Sequence, residues 1–270
     1  MTDRKPDALN PSRRPDALTK QSGDLVARGL ADRQALDEGK YTNLTLDSVV
    51  QEPNRPADAV VIWLHGLGAD GHDFASLPLQ LGISPDHAIR YVFPHAPVIP
   101  VTLNMGIKMR AWYDIVNLEA RGQDESGIRR SAMAVSELIA HEVGRGVAAS
   151  RIVLGGFSQG AAMALFTGLR YPKALRGLVA LSGYLPLHDS LSSEASQANQ
   201  RIGIFQAHGL SDDVVPTRLG RDSAELLRVK GYPVEWHDYP MAHQVCVEEL
   251  QEIGQWLNRS LGTDDSGAMG

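Results

Sequence analysis

Cysteine is almost absent from this chain. The 270 residues include a single cysteine, Cys246, so no disulfide can form within the chain. Disulfides are common in secreted domains and rare in reducing compartments, where free thiols persist. The cysteine content therefore favours a cytoplasmic location. We interpret Cys246 itself as a small packing residue rather than as a nucleophile.

Long apolar runs and an excess of positive charge are also missing. No apolar stretch approaches the roughly 18 residues that a membrane-spanning helix needs. The start of the chain lacks the apolar core of a secretory signal. With 26 Lys and Arg against 32 Asp and Glu, the formal net charge is −6. We therefore expect no nucleic-acid partner and no stable membrane insertion, because neither the charge nor the hydropathy favours them.

The two ends of the chain differ in composition from its middle. Residues 1–40 contain three prolines, many charges and few large apolar side chains, which predicts a mobile or loosely docked polar extension. The tail, residues 262–270, is small and polar, and we predict that it is disordered. No convincing linker divides residues 41–261, so we predict that they form one domain.

Within that domain, short apolar runs alternate with longer segments of helical character. The predicted strands are 60–64, 89–93, 151–154, 177–181, 202–207 and 234–239, with an extra strand within 41–50. The predicted helices are 72–81, 126–146, 161–169, 217–230 and 245–257. This alternation is typical of the α/β fold class, in which helices cover both faces of a mostly parallel twisted sheet.

A G-x-S-x-G pentad follows one of the predicted strands. It reads Gly156-Phe157-Ser158-Gln159-Gly160 and is followed by the predicted helix 161–169. A serine in this context lies on a sharp strand-to-helix turn, which holds its hydroxyl clear of neighbouring groups. The start of the following helix favours developing negative charge because its N–H groups are free. The pentad therefore predicts that Ser158 is a nucleophile.

A serine nucleophile needs a general base and a carboxylate that orients the base. The loop after strand 202–207 contains Asp212 and Asp213, and the loop after strand 234–239 contains His243. The order Ser, Asp, His, with each residue after a strand, is typical of α/β-hydrolases. We predict that His243 is the base. Sequence position alone leaves Asp212 and Asp213 as alternatives for the acid, since neighbouring loop residues rarely point the same way.

An oxyanion intermediate also needs backbone donors. One is expected to be the N–H of Gln159, immediately after the nucleophile. The loop Leu64-His65-Gly66-Leu67-Gly68 follows an early strand, and its two glycines would let the N–H of Leu67 reach the substrate oxygen. A metal site in 65–73 is the rival interpretation, but the spacing matches no known metal motif. We therefore predict no metal, and we interpret His65 and His208 as residues that brace their loops.

The proline-rich segment 93–105, together with the stretch that ends at 109–114, is too long and irregular for an ordinary connection. It could cover the site and offer Leu103, Met105 and Trp112 as an apolar wall for an acyl chain. The alternative is a surface flap with a structural tryptophan. We favour the acyl-binding wall.

Together these motifs resemble the carboxylesterase/acyl-protein thioesterase family of α/β-hydrolases, also called the phospholipase/carboxylesterase family. The motifs that carry the likeness are 64–70, 110–114, 156–161, His208-Gly209-x-x-Asp212-x-x-Val215-Pro216 and Met241-x-His243, and the match runs from about Thr42 to Leu261. The resemblance implies the α/β-hydrolase fold. It selects Asp212, because the family's acid precedes x-x-Val-Pro. It also assigns the Leu67 and Gln159 amides to the oxyanion hole and the flap to the acyl pocket.

The resemblance further implies a serine carboxylesterase without cofactor or metal. Its substrates would be carboxyl esters, and thioesters as a further class, of small to medium acyl chains, and members often pair as homodimers. An acyl-protein thioesterase or a lysophospholipase is the alternative. A silent hydrolase fold used as a binding module is a remote alternative, because such proteins usually lack a triad member or an oxyanion glycine.

Overall fold

The computed structural model describes residues 46–117 and 122–262. The predicted extension, residues 1–40, and residues 263–270 of the predicted tail lie outside the described residues. Gly262 does not belong to a disordered tail, because it is the last residue of a helix. No helix in the described part of the chain is long and apolar enough to cross a bilayer.

A seven-stranded sheet forms the centre of the domain. Its strands are β1 (Ser48–Gln51), β2 (Ala59–Leu64), β3 (Ile89–Pro94), β6 (Ile152–Phe157), β7 (Gly177–Leu181), β8 (Gly203–Gly209) and β9 (Val234–Tyr239). They lie in the order β1-β3-β2-β6-β7-β8-β9. Every pair of neighbours is parallel except β1 and β3, which are antiparallel. The prediction of a mostly parallel sheet is therefore confirmed, and the extra early strand forms its edge.

Helices cover both faces of this sheet. They are α1 (Glu125–Gly144), α2 (Gln159–Arg170), α3 (Leu191–Glu194), α4 (Thr217–Val229) and α5 (Val247–Gly262). Gly146 and Gly231, just past the ends of α1 and α4, have φ angles of +102° and +86°. This left-handed conformation favours glycine and ends helices.

Strand β2 shows how one buried strand serves two cores. All six of its residues are buried. Alternate side chains point to opposite faces, so Val60, Ile62 and Leu64 join the core that contains α1 and α2. Ala59, Val61 and Trp63 join the core on the other face, where α5 packs. Burial on both faces explains why this strand reads as a continuous apolar run.

The predicted helix over 72–81 is wrong. The segment forms a series of turns and a short 3₁₀ helix, Leu77–Leu79. Pro78 lacks the N–H that an α-helix interior uses, and its ring would clash with the carbonyl four residues earlier. Leu77 and Leu81 are nevertheless buried, so the apolar spacing correctly marked the positions that face the core.

The proline-rich segment is more regular than the sequence predicts. It forms a two-stranded antiparallel hairpin of β4 (Val98–Val101) and β5 (Ile107–Arg110). Met105 and Gly106, with φ angles of +56° and +76°, make the turn. The N–H of Gly68 donates to the carbonyl of Arg110 at 2.8 Å, so the end of β5 lies beside the loop that follows β2.

Candidate active site

Ser158 lies between β6 and α2 in a strained backbone conformation. Its φ and ψ angles are 56° and −119°, a region that residues with a side chain rarely occupy. Close backbone approaches surround this turn. A Cβ atom at Gly160 would lie 2.1 Å from the carbonyl oxygen of Leu64, so only glycine fits there. The turn that the pentad predicts is therefore present.

The structure joins Ser158, His243 and Asp212 in one hydrogen-bonded series. The Oγ of Ser158 is 2.9 Å from Nε2 of His243. Nδ1 of the same ring is 2.8 Å from Oδ2 of Asp212. The three residues follow β6, β9 and β8, so they meet at the carboxyl edge of the sheet, where open α/β sheets build their sites. A carboxylate, an imidazole and a hydroxyl in this order can move a proton from the hydroxyl to the ring.

Asp212 is buried, whereas Asp213 is exposed. The Oδ1 atom of Asp212 accepts hydrogen bonds from the N–H groups of Val214 and Val215, at 3.0 and 2.8 Å. These bonds hold the carboxylate with Oδ2 toward His243. The structure therefore brings Asp212 to the ring and leaves its neighbour in solvent.

A second histidine touches the same carboxylate. The Nε2 atom of His208 lies 2.8 Å from the carbonyl of Val215 and 3.2 Å from Oδ2 of Asp212. Because a carbonyl only accepts, Nε2 carries the proton. Burial lowers the pKa of His208, which favours the neutral ring. Sequence reasoning assigned His208 a bracing role and missed its contact with Asp212, which lies four residues further along the chain.

The two predicted oxyanion donors lie in segments that border the serine. Gln159 is the first residue of α2. Gly66 packs against the serine, because a Cβ atom there would lie 3.4 Å from Cβ of Ser158. Within the described residues, the N–H groups of Leu67 and Gln159 have no backbone acceptor. Both are therefore available to a substrate oxygen.

The prediction for Trp112 needs a correction. Its side chain is 1% exposed and packs in the core with α1 and α2, so its ring offers no open wall to an acyl chain. Instead, the backbone N–H of Trp112 donates to Oε1 of Gln159 at 2.8 Å, and Nε2 of Gln159 donates to the carbonyl of Tyr113 at 2.8 Å. The glutamine side chain thus ties the start of α2 to the chain after β5. Sequence reasoning missed this bridge, because the two segments are 47 residues apart.

Leu103 and Met105 both lie on the β4–β5 hairpin. They are 39% and 90% exposed, so both side chains are accessible. The predicted role of these two residues in acyl binding stays a prediction.

Two further features bear on the sequence-based interpretation. Cys246 is partly exposed rather than buried, and desolvation raises the pKa of its thiol, which disfavours the thiolate. In the described ranges, no group of three or more His, Cys, Asp or Glu side chains is arranged to hold a metal ion.

The chain is similar in sequence and fold to several known proteins. Residues 46–261 match the model of the phospholipase/carboxylesterase family. Over 213 residues the chain is 41% identical to acyl-protein thioesterase 1 of Neurospora crassa, covering 75% of this chain and 87% of that protein. It is 38% identical to acyl-protein thioesterase 1 of Gibberella zeae, covering 75% and 91%. The crystal structure of Zea mays acyl-protein thioesterase 2 superposes with a TM-score of 0.70 and 32% identity, covering 80% and 99%.

Proposed function

The chain belongs to the phospholipase/carboxylesterase family and hydrolyses ester bonds, and on this premise we propose that Ser158, His243 and Asp212 are its catalytic triad. The observation that carries the proposal is the unbroken series from the Ser158 hydroxyl through the His243 ring to the Asp212 carboxylate, with contacts of 2.9 and 2.8 Å. Each of the two neighbouring pairs is within hydrogen-bond distance, as a catalytic triad requires.

In the proposed reaction, Oγ of Ser158 attacks the carbonyl carbon of the substrate while Nε2 of His243 takes the hydroxyl proton. Asp212 keeps the other ring nitrogen protonated and stabilises the imidazolium that forms. The ring then gives its proton to the departing alcohol or thiol, which leaves an acyl-enzyme. Water, activated by the same ring, releases the acid and restores the serine.

The oxyanion of each tetrahedral intermediate needs donors that point at it before the charge develops. We propose the N–H groups of Leu67 and Gln159, which have no backbone acceptor in the described residues. The start of α2 adds its partial positive charge to the same place. Such donors are worth roughly 10²–10³ in kcat each.

For substrates, we propose carboxyl esters and thioesters of small to medium acyl chains. Leu103 and Met105 on the hairpin would contact the acyl chain, since both are accessible and the hairpin abuts the loop that contains Leu67. A protein thioesterase is the second candidate. It is favoured by the relatives at 38–41% identity, which are named acyl-protein thioesterase 1.

Replacing the nucleophile tests the triad. Ser158→Ala should lower kcat on a p-nitrophenyl ester on the order of 10⁴-fold or more, because the proposed acyl-enzyme forms on the Ser158 oxygen. Circular dichroism should stay unchanged. Activity within tenfold of wild type in a folded variant would contradict the assignment.

A substrate panel tests the acyl preference. We expect kcat/KM on p-nitrophenyl and coenzyme A esters, graded from acetyl to palmitoyl, to peak at small to medium chains. Leu103→Ala should lower kcat/KM for the longer chains more than for acetate, because apolar burial contributes about 25 cal/mol per Å². Val229→Ala, at an exposed valine of α4 outside the proposed site, is the control. A peak at palmitoyl, with turnover of a palmitoylated peptide, would favour the protein thioesterase instead.

We also propose that the protein works in the cytoplasm as a homodimer. The single cysteine supports a reducing compartment, and the family resemblance supports the dimer. Sedimentation equilibrium at micromolar concentration tests the dimer, and a monomeric mass would contradict it.

A further inference from the structure

His65 uses both ring nitrogens at the end of β2. The residue is 1% exposed. Its Nδ1 atom is 2.7 Å from the carbonyl oxygen of Gly66, and its Nε2 atom is 3.0 Å from the backbone nitrogen of Ala96. The ring also packs against Trp112, with ring centroids 5.4 Å apart. A buried histidine with two fixed partners has little freedom to rotate.

These two contacts determine which nitrogen carries the proton. A carbonyl oxygen only accepts, so Nδ1 must donate to Gly66. A backbone N–H only donates, so Nε2 must accept from Ala96. Only the neutral ring with its proton on Nδ1 satisfies both partners. Burial lowers the pKa of His65, which favours this neutral state.

The carbonyl that His65 holds belongs to a mechanistically important peptide. The C=O of Gly66 and the N–H of Leu67 are the two ends of one planar unit, and the described chain has no cis peptide bond. In a trans peptide these two groups point in opposite directions. Restraining the carbonyl toward the His65 ring therefore directs the Leu67 N–H away from that ring.

Other contacts restrain the same turn. The Gly66 carbonyl also accepts from the N–H of Ala69 at 3.3 Å. The preceding carbonyl, that of His65, accepts from Nε1 of Trp112 at 2.9 Å. Gly66 has no side chain, so its backbone could rotate freely. The hydrogen bonds to the carbonyls of His65 and Gly66 restrain the peptides before and after it instead. The turn faces the nucleophile, since Gly66 packs against Ser158.

We propose that His65 is a positioning residue, which holds the Gly66–Leu67 peptide so that the Leu67 N–H points at the oxyanion formed on attack by Ser158. The inference rests on the proposed function, because it needs the Leu67 amide to be an oxyanion donor. His65 touches neither the substrate nor the reacting atoms. It acts through one peptide bond.

Two substitutions at this position separate the donor from the acceptor. His65→Asn keeps an N–H near the place of Nδ1 and loses the acceptor for Ala96. His65→Gln keeps an oxygen that can accept from Ala96 and loses the donor to Gly66. We expect kcat of His65→Gln on a p-nitrophenyl ester to be at least tenfold below that of His65→Asn, with KM of both within about threefold of wild type. His141→Gln, at an exposed histidine of α1, is the control.

The outcomes distinguish the two levels of the proposal. A purely structural role for His65 would lower the thermal midpoint and kcat of both variants together, and equal kcat values would overturn the inference. Ser158→Ala is measured alongside. If Ser158→Ala keeps activity, the proposed function fails and this inference fails with it. If activity depends on Ser158 but the two His65 variants are equal, only the inference fails.

A measurement on the wild-type protein covers the case in which a variant does not fold. In ¹⁵N-histidine-labelled protein, the ring nitrogens of His65 should show the neutral tautomer with the proton on Nδ1 at pH 7. A proton on Nε2, or a fully protonated ring, would overturn the inference, because the Gly66 and Ala96 contacts could not then coexist.

Discussion

At Ser158, the backbone conformation that exposes the hydroxyl is one that costs on the order of 1–3 kcal/mol. Two features hold the residue there. Its N–H donates to the carbonyl of Leu181 at 2.8 Å, and Gly160 lets the first turn of α2 contact the end of β2. The strain is thus offset by contacts between neighbouring strands and the helix, and the nucleophile needs no movement to become accessible.

The two neighbouring aspartates allow a matched test of the triad. Asp212→Asn should lower kcat by about 10⁴-fold, because an amide can stabilise the wrong tautomer of His243 and cannot stabilise the imidazolium. Asp213→Asn should change kcat less than threefold, since that side chain lies in solvent. Steady-state kinetics on a p-nitrophenyl ester measure both. Equal losses, or the reverse order, would contradict the choice of Asp212.

Some site residues could be predicted from the sequence and others could not, for a physical reason. Ser158 is marked by a local pattern directly after an apolar strand, and His243 lies in the loop that follows the predicted strand 234–239. The choice between Asp212 and Asp213 depends on which way a loop turns, which only the family motif indicated. The burial of Trp112 depends on partners such as Gln159 and His65, each 47 residues away in the chain. A local pattern contains no information about such contacts.

Among the elements, helix α5 begins with a carboxyl group in an unfavourable environment. Glu249, the third residue of this helix, is 0% exposed. Neither of its carboxyl oxygens makes a full hydrogen bond within the described residues. Burial, with a smaller contribution from Glu252, raises the pKa of Glu249 to about 8, and the nearby N–H of Cys246 offsets only part of this. The group is therefore held protonated near neutral pH.

This raised pKa predicts how stability depends on pH. Between pH 4.5 and pH 8, the folded protein keeps a proton on Glu249 that the unfolded chain has released. The contribution of this group to stability is therefore fully present below pH 4.5 and lost as the pH rises to about 8. The shift corresponds to at most about 5 kcal/mol.

Glu249→Gln removes that titration while keeping a side chain that can reach back to the Cys246 N–H, as glutamine does at this helix position. Its free energy of unfolding, from urea titration, should exceed that of wild type at pH 8.5, and the difference should shrink toward pH 5. Glu248→Gln, at the exposed neighbouring position, is the control. A difference that does not change with pH would contradict a buried, protonated Glu249.

The elements themselves were predicted unevenly. Five of the six parallel strands were predicted within two residues at each end, and β6 continues three residues past its predicted end, to Phe157. Strands β2 and β7 are buried on both faces, which makes them continuous apolar runs. The prediction of a helix over 72–81 was wrong because apolar spacing indicates which side chains face the core. It does not determine the backbone conformation that brings them there. Pro78 was the local signal against a helix. The hairpin over 98–110 was missed because Pro97 and Pro100 argue against a strand. Proline is tolerated in edge strands, however, and both strands of this hairpin are edges.

For the whole molecule, the sheet explains why the site lies where it does. Parallel strands bring all their carboxyl ends to one edge, so loops far apart in sequence meet there. Ser158 and His243 are 85 residues apart in the chain, yet Oγ of Ser158 lies 2.9 Å from Nε2 of His243. The same order of strands leaves β1 at an edge, bonded only to β3 among the described strands. The proposed triad and oxyanion residues follow β2, β6, β8 and β9, whereas β1, at the start of the described chain, contributes one edge of the sheet.

This division predicts what the chain can lose. Deleting residues 1–38 should leave kcat/KM on a short p-nitrophenyl ester within about twofold of wild type, because the family match begins at residue 46 and every proposed site residue follows Leu64. Deleting residues 1–51 is the matched comparison. It removes β1 and its pairing with β3 from Ser48 to Gln51, which exposes the edge of β3, so the thermal midpoint should fall. Loss of more than tenfold in kcat/KM in the shorter deletion would mean that the first residues act in the site, since the sheet would still be complete.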